Sequence, residues 1–242
     1  IGSGMAERYH QRFWDMVPMP DGVTFDSVTD AMCGFNVAGP MSRNLLQRLT
    51  NTSLATAHFP FMRSKQIELA GIDCLALRVS FTGDLGWELH CKTEDQLRLY
   101  NALLEAGKSY GAGPVGGRAL MSLRVEKGYG SWSREYSPEY WPQEVGLEAL
   151  IKLDKDFLHK DAYLAVKDKA PREVLSIIEI LDTTKADATG GEPIFDLNGK
   201  GVGRVTSGSY GYGVKKSLAL CYLKNVSPGD EVRVMVIGLP HK

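Results

Sequence analysis

Glu88 follows a glycine-containing turn between two strand-like segments, and its carboxylate could bind a ligand. The turn, at residues 81–87, presents Asp84 at its tip, and Gly83 and Gly86 permit backbone angles that other residues resist. A carboxylate accepts two neighbouring N–H groups as a fork, and its charge strengthens both bonds. A pterin or guanine-like ring offers such a pair, and polar pairing of this kind discriminates sharply between ligands. The alternative is an ordinary hairpin with Glu88 on its solvent face.

Arg124 and Trp132 lie in a second stretch with the chemistry of a binding site. Arg124 and Glu126 are two residues apart on a predicted helix, so their side chains point in different directions. Arg124 either faces a pocket, where it would bind a carboxylate or carbonyl, or forms a structural ion pair. Trp132 either stacks on a flat ligand or belongs to the core or to a lid.

Other familiar chemistry is absent from the sequence. The glycine-rich residues 206–216 lack both the Gly-Lys-Ser/Thr ending and the G-x-G-x-x-G spacing of phosphate-binding loops. The five histidines show no metal-ligand spacing, and there is no Gly-x-Ser-x-Gly motif. The four cysteines form no C-x-x-C pair and mostly sit in apolar runs. We therefore predict reduced core cysteines, a reducing compartment and no metal site.

The composition is that of an ordinary globular protein. The 242 residues suffice for one large domain or two average ones, with 43% hydrophobic and 24% charged residues. The net charge of -1 argues against a nucleic-acid partner, which would normally require a basic excess. No apolar run approaches the roughly 20 residues of a membrane helix. The start, Ile1-Gly2-Ser3, reads as an internal segment of a protein, so we expect a fragment.

The first two thirds of the chain alternate strand and helix patterns, which predicts an α+β sandwich. A capping box at residues 93–96 should open a helix that carries Leu97, Tyr100 and Leu104 at helical spacing and ends near Gly107 or Gly111. The remaining elements predicted here are a helix at residues 6–16, strands at 23–28, 33–37, 67–69, 74–81 and 87–91, a helix after Pro40 with Leu45, Leu46 and Leu49 inside, and a helix at 119–126.

The chain changes character after an aromatic-rich stretch at residues 129–141, which we interpret as an ordered loop. Four strand patterns follow without a helix between them, at residues 174–181, 202–206, 218–223 and 232–237. We therefore predict two domains, at residues 1–167 and 172–242.

Five stretches, in order along the chain, resemble the folate-binding aminomethyltransferase family, which includes the glycine cleavage T-protein. They are Val-Ala-Gly-Pro at 37–40, Ser-Phe-Thr-Gly-Asp-Leu-Gly-Trp-Glu-Leu at 80–89, Leu-Arg-Val-Glu-Lys at 123–127, Glu-Val-Gly-Leu at 144–147, and Thr-Ser-Gly-Ser-Tyr at 206–210 with Lys-Ser-Leu-Ala at 216–219. The forms at 86–89 and 206–210 are closest to the C-terminal folate-binding region of dimethylglycine and sarcosine dehydrogenases.

The resemblance implies an α+β fold, a partial cloverleaf around a folate channel. It has a ferredoxin-like α/β sandwich region and a C-terminal antiparallel β-barrel, and its N-terminal part is missing from this sequence. Four residues are implied to bind tetrahydrofolate. Glu88 would hold the pterin ring, Phe81 replaces a tyrosine of many relatives, Arg124 matches a folate-contacting arginine, and Trp132 matches an aromatic residue of the pocket.

The implied reaction moves a methylene unit from an iminium, derived from a small N-methyl amine, to tetrahydrofolate. The catalytic aspartate of the family would lie upstream of Ile1, so no catalytic residue is assigned in this chain, and the fragment is expected to be inactive alone. FAD is expected only if an upstream or associated dehydrogenase domain exists. Bacterial cytoplasm and mitochondrial matrix both fit this metabolism.

Three alternatives share the same fold. The first is a stand-alone glycine cleavage aminomethyltransferase. The second is a non-catalytic folate-binding factor for iron–sulfur assembly or RNA modification, but residues 126–130, Glu-Lys-Gly-Tyr-Gly, lack the cysteine of that group's motif. The third is a sulfonium demethylase, whose substrate-contacting residues the sequence does not identify.

Overall fold

The computed structural model describes residues 4–181 and 186–242, which form two antiparallel sheets with helices packed against each of them. The expected internal start at residues 1–3 lies outside the described residues. In chain order, the first part contains α1 (Gly4–Met16), β1 (Met32–Ala38), α2 (Ser42–Gln47), β2 (Ser64–Leu69), β3 (Ile72–Leu77), β4 (Gly86–Lys92), α3 (Gln96–Gly107), α4 (Gly117–Glu126) and α5 (Lys160–Leu164).

The first sheet has the strand order β1-β4-β3-β2, and one of its faces is covered by helices. Side chains alternate between the two faces of a strand, so Trp87, Leu89 and Cys91 of β4 all point into one core. From the helical side, α2 contributes Leu45 and Leu46, and α3 packs beside α2. This core fixes β4 and leaves the other face of the strand for polar residues.

The predicted hairpin of the first sheet is confirmed as β2 and β3, and a two-residue turn joins them. Ala70 and Gly71 both have positive φ, 51° and 74°. Positive φ at both central residues is the geometry that matches the natural twist of paired strands. The second strand of the hairpin ends at Leu77, earlier than the predicted residue 81, because the chain then turns towards Glu88.

The second sheet is built from β5 (Val174–Ile180), β6 (Pro193–Phe195), β7 (Gly201–Gly211), β8 (Lys216–Leu223), β9 (Arg233–Val236) and β10 (Leu239–His241). Its strand order is β10-β9-β6-β7-β8-β5. The amide of Leu181, just after β5, donates to the carbonyl of Lys242, just after β10, at 2.8 Å. The two outer strands are thereby joined at one end, as the predicted C-terminal barrel requires.

Strand β8 is buried on both faces, which explains its nearly continuous apolar sequence. Ala219, Cys221 and Leu223 point into the barrel core. The alternate residues Leu218 and Leu220 pack instead against Val125 of α4. Helix α4 therefore packs against the outside of the barrel, on β7 and β8.

Two local predictions are wrong, and one helix buries a different face from the one that its apolar spacing suggests. Residues 23–28 form no strand: their side chains are all exposed, so the alternating pattern has no core to face. Thr93 makes no capping bond, because its hydroxyl donates to the carbonyl of Asp30 at 2.9 Å. The buried face of α3 carries Leu99 and Leu103, whereas Leu97 is exposed.

Across residues 4–181 and 186–242, no helix is both long enough and apolar enough to span a membrane.

Candidate functional site

Glu88 lies on the face of β4 opposite the hydrophobic core. Its cross-strand neighbours are Asn36 of β1 and Leu77 of β3. The side chain is 42% exposed, and its Oε2 lies 3.7 Å from Nε2 of His90, two residues further along the same face. No group in the described part of the chain donates a hydrogen bond to this carboxylate. Both of its oxygens are therefore available to accept bonds from a ligand.

The turn before Glu88 is held by short-range hydrogen bonds. The amide of Gly83 donates to the hydroxyl of Ser80 at 3.0 Å, and Asp84 stands exposed at the tip as predicted. Gly83 has a φ of +85°, and a Cβ added there would lie 2.5 Å from the side chain of Lys127. The turn thus needs glycine both for its backbone angle and for the close approach of the end of α4. Phe81, at the start of the turn, is half-buried.

A cleft of about 220 Å³ opens beside this turn. Its lining residues are Phe61, Arg78, Ser80, Gly83, Asp84, Leu85, Gly86 and Tyr129. Arg78 lines it with a side chain that is only 9% exposed, and its Nη1 donates to the carbonyl of Phe59 at 2.7 Å. Burial, together with the charge of Arg43, lowers the pKa of Arg78. Sequence reasoning missed Arg78, because its position within an apolar strand pattern gave no sign of a charged cleft. None of the four predicted folate contacts lines the cleft.

Arg124 is enclosed between α4, the aromatic loop and the barrel. Its exposure is 1%, and its Nη1 lies 2.9 Å from a carboxylate oxygen of Glu135, which is fully buried. The same guanidinium donates to the hydroxyl of Ser207 on β7 at 2.6 Å and to the carbonyl of Tyr129 at 3.1 Å. The structure contains the ion pair, which is one of the two alternatives left open by the sequence. The folate contact implied for Arg124 stays a prediction.

The carboxylate of Glu135 is kept charged by its partners. Burial alone would raise its pKa, but hydrogen bonds from the Ser131 amide and the Ser207 hydroxyl, together with the charge of Arg124, hold the pKa below its ordinary value. The carbonyl of Glu135 also accepts a bond from the hydroxyl of Tyr222 at 2.6 Å. One acidic residue therefore fastens the aromatic loop to both α4 and the barrel.

A second set of contacts holds the following part of the loop. The ring of Tyr140 stacks on that of Tyr222, with 3.8 Å between centroids and 6° between planes. The hydroxyl of Tyr140 donates to Glu173 at 2.9 Å. Glu144 is fully buried and pairs with Arg172, whose hydrogen bonds lower the pKa of Glu144 to about 2. The irregular stretch is thus the ordered loop that the sequence predicted.

Trp132 projects from the fastened loop into solvent. Its exposure is 77%, and no ring of a described residue stacks on it. Neither the core nor a closed lid holds the indole, and its stacking on a flat ligand stays a prediction. Within residues 4–181 and 186–242, no hydrogen bond, ion pair or ring contact joins Glu88, Phe81, Arg124 and Trp132 to one another.

The same described residues contain no group of three or more histidine, cysteine or acidic side chains placed to hold a metal ion.

Comparison with known proteins agrees with this architecture. Residues 1–155 match the GCVT N-terminal domain family, and residues 175–242 match the glycine cleavage T-protein C-terminal barrel domain family. The chain is 38% identical to the mitochondrial dimethylglycine dehydrogenase of Homo sapiens over 98% of its own length and 28% of that protein. It is 30% identical to an aminomethyltransferase of Thermoanaerobacter sp. (strain X514), over 91% of the chain and 60% of the relative.

A solved structure shows the same fold. The glycine cleavage system aminomethyltransferase T from Bartonella henselae superposes with a TM-score of 0.74 at 24% identity, covering 87% of this chain and 57% of that one. The chain therefore spans between about a quarter and three fifths of the length of the relatives described here.

Proposed function

The chain belongs to the glycine cleavage T-protein family, and from that premise we propose that it transfers a one-carbon unit to tetrahydrofolate. In this proposal it is the folate-binding region of a dimethylglycine or sarcosine dehydrogenase-like enzyme. The donor is an iminium derived from a small N-methyl amine. The higher identity to dimethylglycine dehydrogenase, over nearly the whole chain, supports this branch of the family.

The carboxylate of Glu88, which lies 3.7 Å from His90, is the observation that carries the proposal. It is half exposed, it is anchored on a strand with a buried opposite face, and no described residue donates a hydrogen bond to it. These properties fit a pterin ring, which presents an N–H and an amino group side by side. Tetrahydrofolate, when bound, supplies the nitrogen that accepts the one-carbon unit. Glu88 orients the ring so that this nitrogen is held in a fixed position.

The other three predicted contacts divide into two roles. Phe81 is half-buried at the turn before Glu88, and Trp132 is exposed on the loop, so both offer aromatic surface to a flat ligand. Arg124 directs its Nη donors to Glu135, Ser207 and Tyr129. We therefore propose that Arg124 acts as a positioning residue for the loop that carries Trp132.

The test is a titration with tetrahydrofolate, followed by intrinsic fluorescence or calorimetry, on the full-length protein that contains this chain. Replacing one carboxylate oxygen by an amide turns one acceptor into a donor, which would face the amino group of the pterin. We expect Glu88→Gln to weaken binding at least tenfold, which corresponds to about 1.4 kcal/mol.

The matched control is Glu68→Gln on β2, an exposed carboxylate of the same sheet, which should bind as the unmodified protein does. Circular dichroism checks that both variants keep the fold. Equal affinity of the Glu88→Gln variant and the unmodified protein would refute the pterin assignment.

A glycine cleavage aminomethyltransferase is the second candidate, supported by relatives that carry that name over a similar share of the chain. The two candidates differ in flavin content. A dehydrogenase-like protein should purify with FAD bound to a region outside residues 1–242, whereas an aminomethyltransferase should not. The matrix of mitochondria and the bacterial cytoplasm are the compartments that we propose for either enzyme.

A further inference from the structure

Three of the four cysteines lie in a row across the first sheet. Cys33 of β1 stands directly opposite Cys91 of β4. On the other side of β4, the register pairs Leu75 of β3 with His90, and continuing it by one residue places Cys74 beside Cys91. The Sγ atoms of Cys33 and Cys91 are 3.4 Å apart, and all three residues are free thiols. Cys33 and Cys91 are therefore in direct contact although 58 residues separate them.

The ladder between β1 and β4 gives this pair the backbone spacing of a disulfide. The amide of Thr93 donates to the carbonyl of Ala31 at 3.0 Å, two residues beyond the cysteines on each strand. Because hydrogen-bonded and non-hydrogen-bonded pairs alternate, the two cysteines also occupy a hydrogen-bonded position. The Cα atoms of such pairs are about 5.5 Å apart, which agrees with the commonest separation in disulfides, about 5.5–6 Å.

The distance between the two Cβ atoms determines how strained such a disulfide would be. Directly opposed residues in antiparallel strands have Cβ atoms about 4.5–5.5 Å apart, and the larger values belong to hydrogen-bonded pairs. A disulfide requires about 3.5–4.5 Å. Closing the bond must therefore pull β1 and β4 together at this point, and strain of this kind makes a disulfide easier to reduce. The geometry favours a reversible bond over a permanent structural one.

The two thiols differ in accessibility. Strand β1 is at the edge of its sheet, and Cys33 is half-buried. Cys91 is 1% exposed, and its burial, together with the hydrogen bond to Cys33, raises its pKa to about 12. A small oxidant therefore reaches Cys33 first, and the neighbouring Cys91 is still a protonated thiol at that point.

We propose that Cys33 and Cys91 form a reversible cross-strand disulfide when the protein meets a small-molecule disulfide such as glutathione disulfide. The Cys33 thiolate attacks one glutathione sulfur, and the other glutathione leaves as a thiolate. Cys91 then gives up its proton to solvent, and its sulfur attacks the Cys33 sulfur of the mixed disulfide and displaces the second glutathione. Two protein thiols are oxidised and one glutathione disulfide is reduced to two glutathione molecules. The proposal does not depend on folate binding.

The experiment incubates the folded full-length protein with glutathione and glutathione disulfide at a series of ratios, quenches it with acid, and maps the peptides without reduction. We expect a linked peptide pair containing Cys33 and Cys91 that increases with the oxidised fraction and disappears with dithiothreitol. Cys33→Ser should lower the linked pair at least tenfold. Cys91→Ala should trap glutathione on Cys33, and Cys221→Ser, in the barrel core, should change nothing.

Three results would overturn the proposal. Glutathione could accumulate on Cys33 of the unmodified protein while Cys91 stays reduced. Cys91 could be linked to Cys74 instead. The pair could form only in urea, which would mean that the folded strands do not allow the approach of the two Cβ atoms.

Discussion

Removing the charge of Arg124 should destabilise the protein strongly even in the absence of any ligand. The variant is Arg124→Leu, which keeps much of the side-chain volume and removes the guanidinium. The ion pair with Glu135 is 2.9 Å long, and both side chains are buried. At an effective dielectric constant of 20, two unit charges at this distance attract by about 6 kcal/mol, part of which offsets the cost of their burial.

The net loss is smaller than that attraction because Glu135 keeps other partners. The Ser131 amide and the Ser207 hydroxyl still donate to its carboxylate, at 2.8 Å and 2.6 Å. The carboxylate can also bind a proton once Arg124 is gone, because its pKa then rises. We therefore expect a loss of about 3 kcal/mol, at the lower end of what breaking a buried pair costs. For a chain of this size the loss corresponds to a fall in Tm of roughly 6–12 °C.

The assay is urea unfolding followed by circular dichroism near pH 7, with Arg118→Leu as the matched control. Arg118 lies on the same helix but is exposed, so its loss should change the free energy of unfolding by less than about 0.5 kcal/mol. The double variant Arg124→Leu, Glu135→Leu should recover only part of the stability. No unpaired charge stays buried, but the Ser131 amide and the Ser207 hydroxyl lose their acceptor. A loss for Arg124→Leu below about 1 kcal/mol would refute the structural role that we assign to this pair.

Two further predictions concern the loop and the barrel. Because the hydrogen bonds of Arg172 hold the pKa of Glu144 at about 2, well below its unfolded value, this pair stabilises the fold above pH 4.5 and the stabilisation is lost as the pH falls towards 2. We therefore expect the free energy of unfolding of Glu144→Gln to fall less steeply between pH 4.5 and pH 2 than that of the unmodified protein, as measured in acid unfolding curves. Glu148→Gln, an exposed control, should behave as the unmodified protein does. In β7, a Cβ on Gly203 would lie 2.1 Å from a backbone carbonyl oxygen of β8. Gly203→Ala should therefore lower the free energy of unfolding in urea by about 1–3 kcal/mol. Gly201→Ala is the control, because a Cβ there has open space around it, and it should lower that free energy by less than about 1 kcal/mol.

The sequence predicts most of the elements correctly because their signals are local. The hairpin of β2 and β3, the helix α4 and four of the six described barrel strands carry patterns that span fewer than a dozen residues. The three-residue strands β6 and β10 are too short to show such a pattern and were missed. The exceptions are also instructive. Residues 23–28 alternate as a strand does, but they have no core to face, and the helix α3 presents Leu99 rather than Leu97 to the sheet because α2 and β4 decide which side is covered.

The candidate site is only partly predictable from the sequence, since some of its residues are positioned by neighbours in the chain and others by residues far away in the sequence. Glu88 could be placed from the turn and from alternation along one strand. The burial of Arg124 could not be predicted, because it depends on a contact with Ser207, which is 83 residues away on β7. The contact between Cys33 and Cys91 was missed for the same reason: only the strand order places them side by side.

Gly83 lies where the two halves of the proposed folate site meet, the strand of Glu88 and the loop of Trp132. Each half is held in place by a different set of contacts. The strand of Glu88 is fixed by the apolar core under the first sheet, and the loop of Trp132 is fixed by the network around Arg124. Lys127, at the end of α4, lies against Gly83 so closely that a Cβ there would meet even the Cβ of Lys127, at 2.9 Å. A larger residue in the turn would therefore push apart α4 and the strand of Glu88. The glycine sets how closely the two halves approach, so the width of the site depends on a residue that need not touch the ligand.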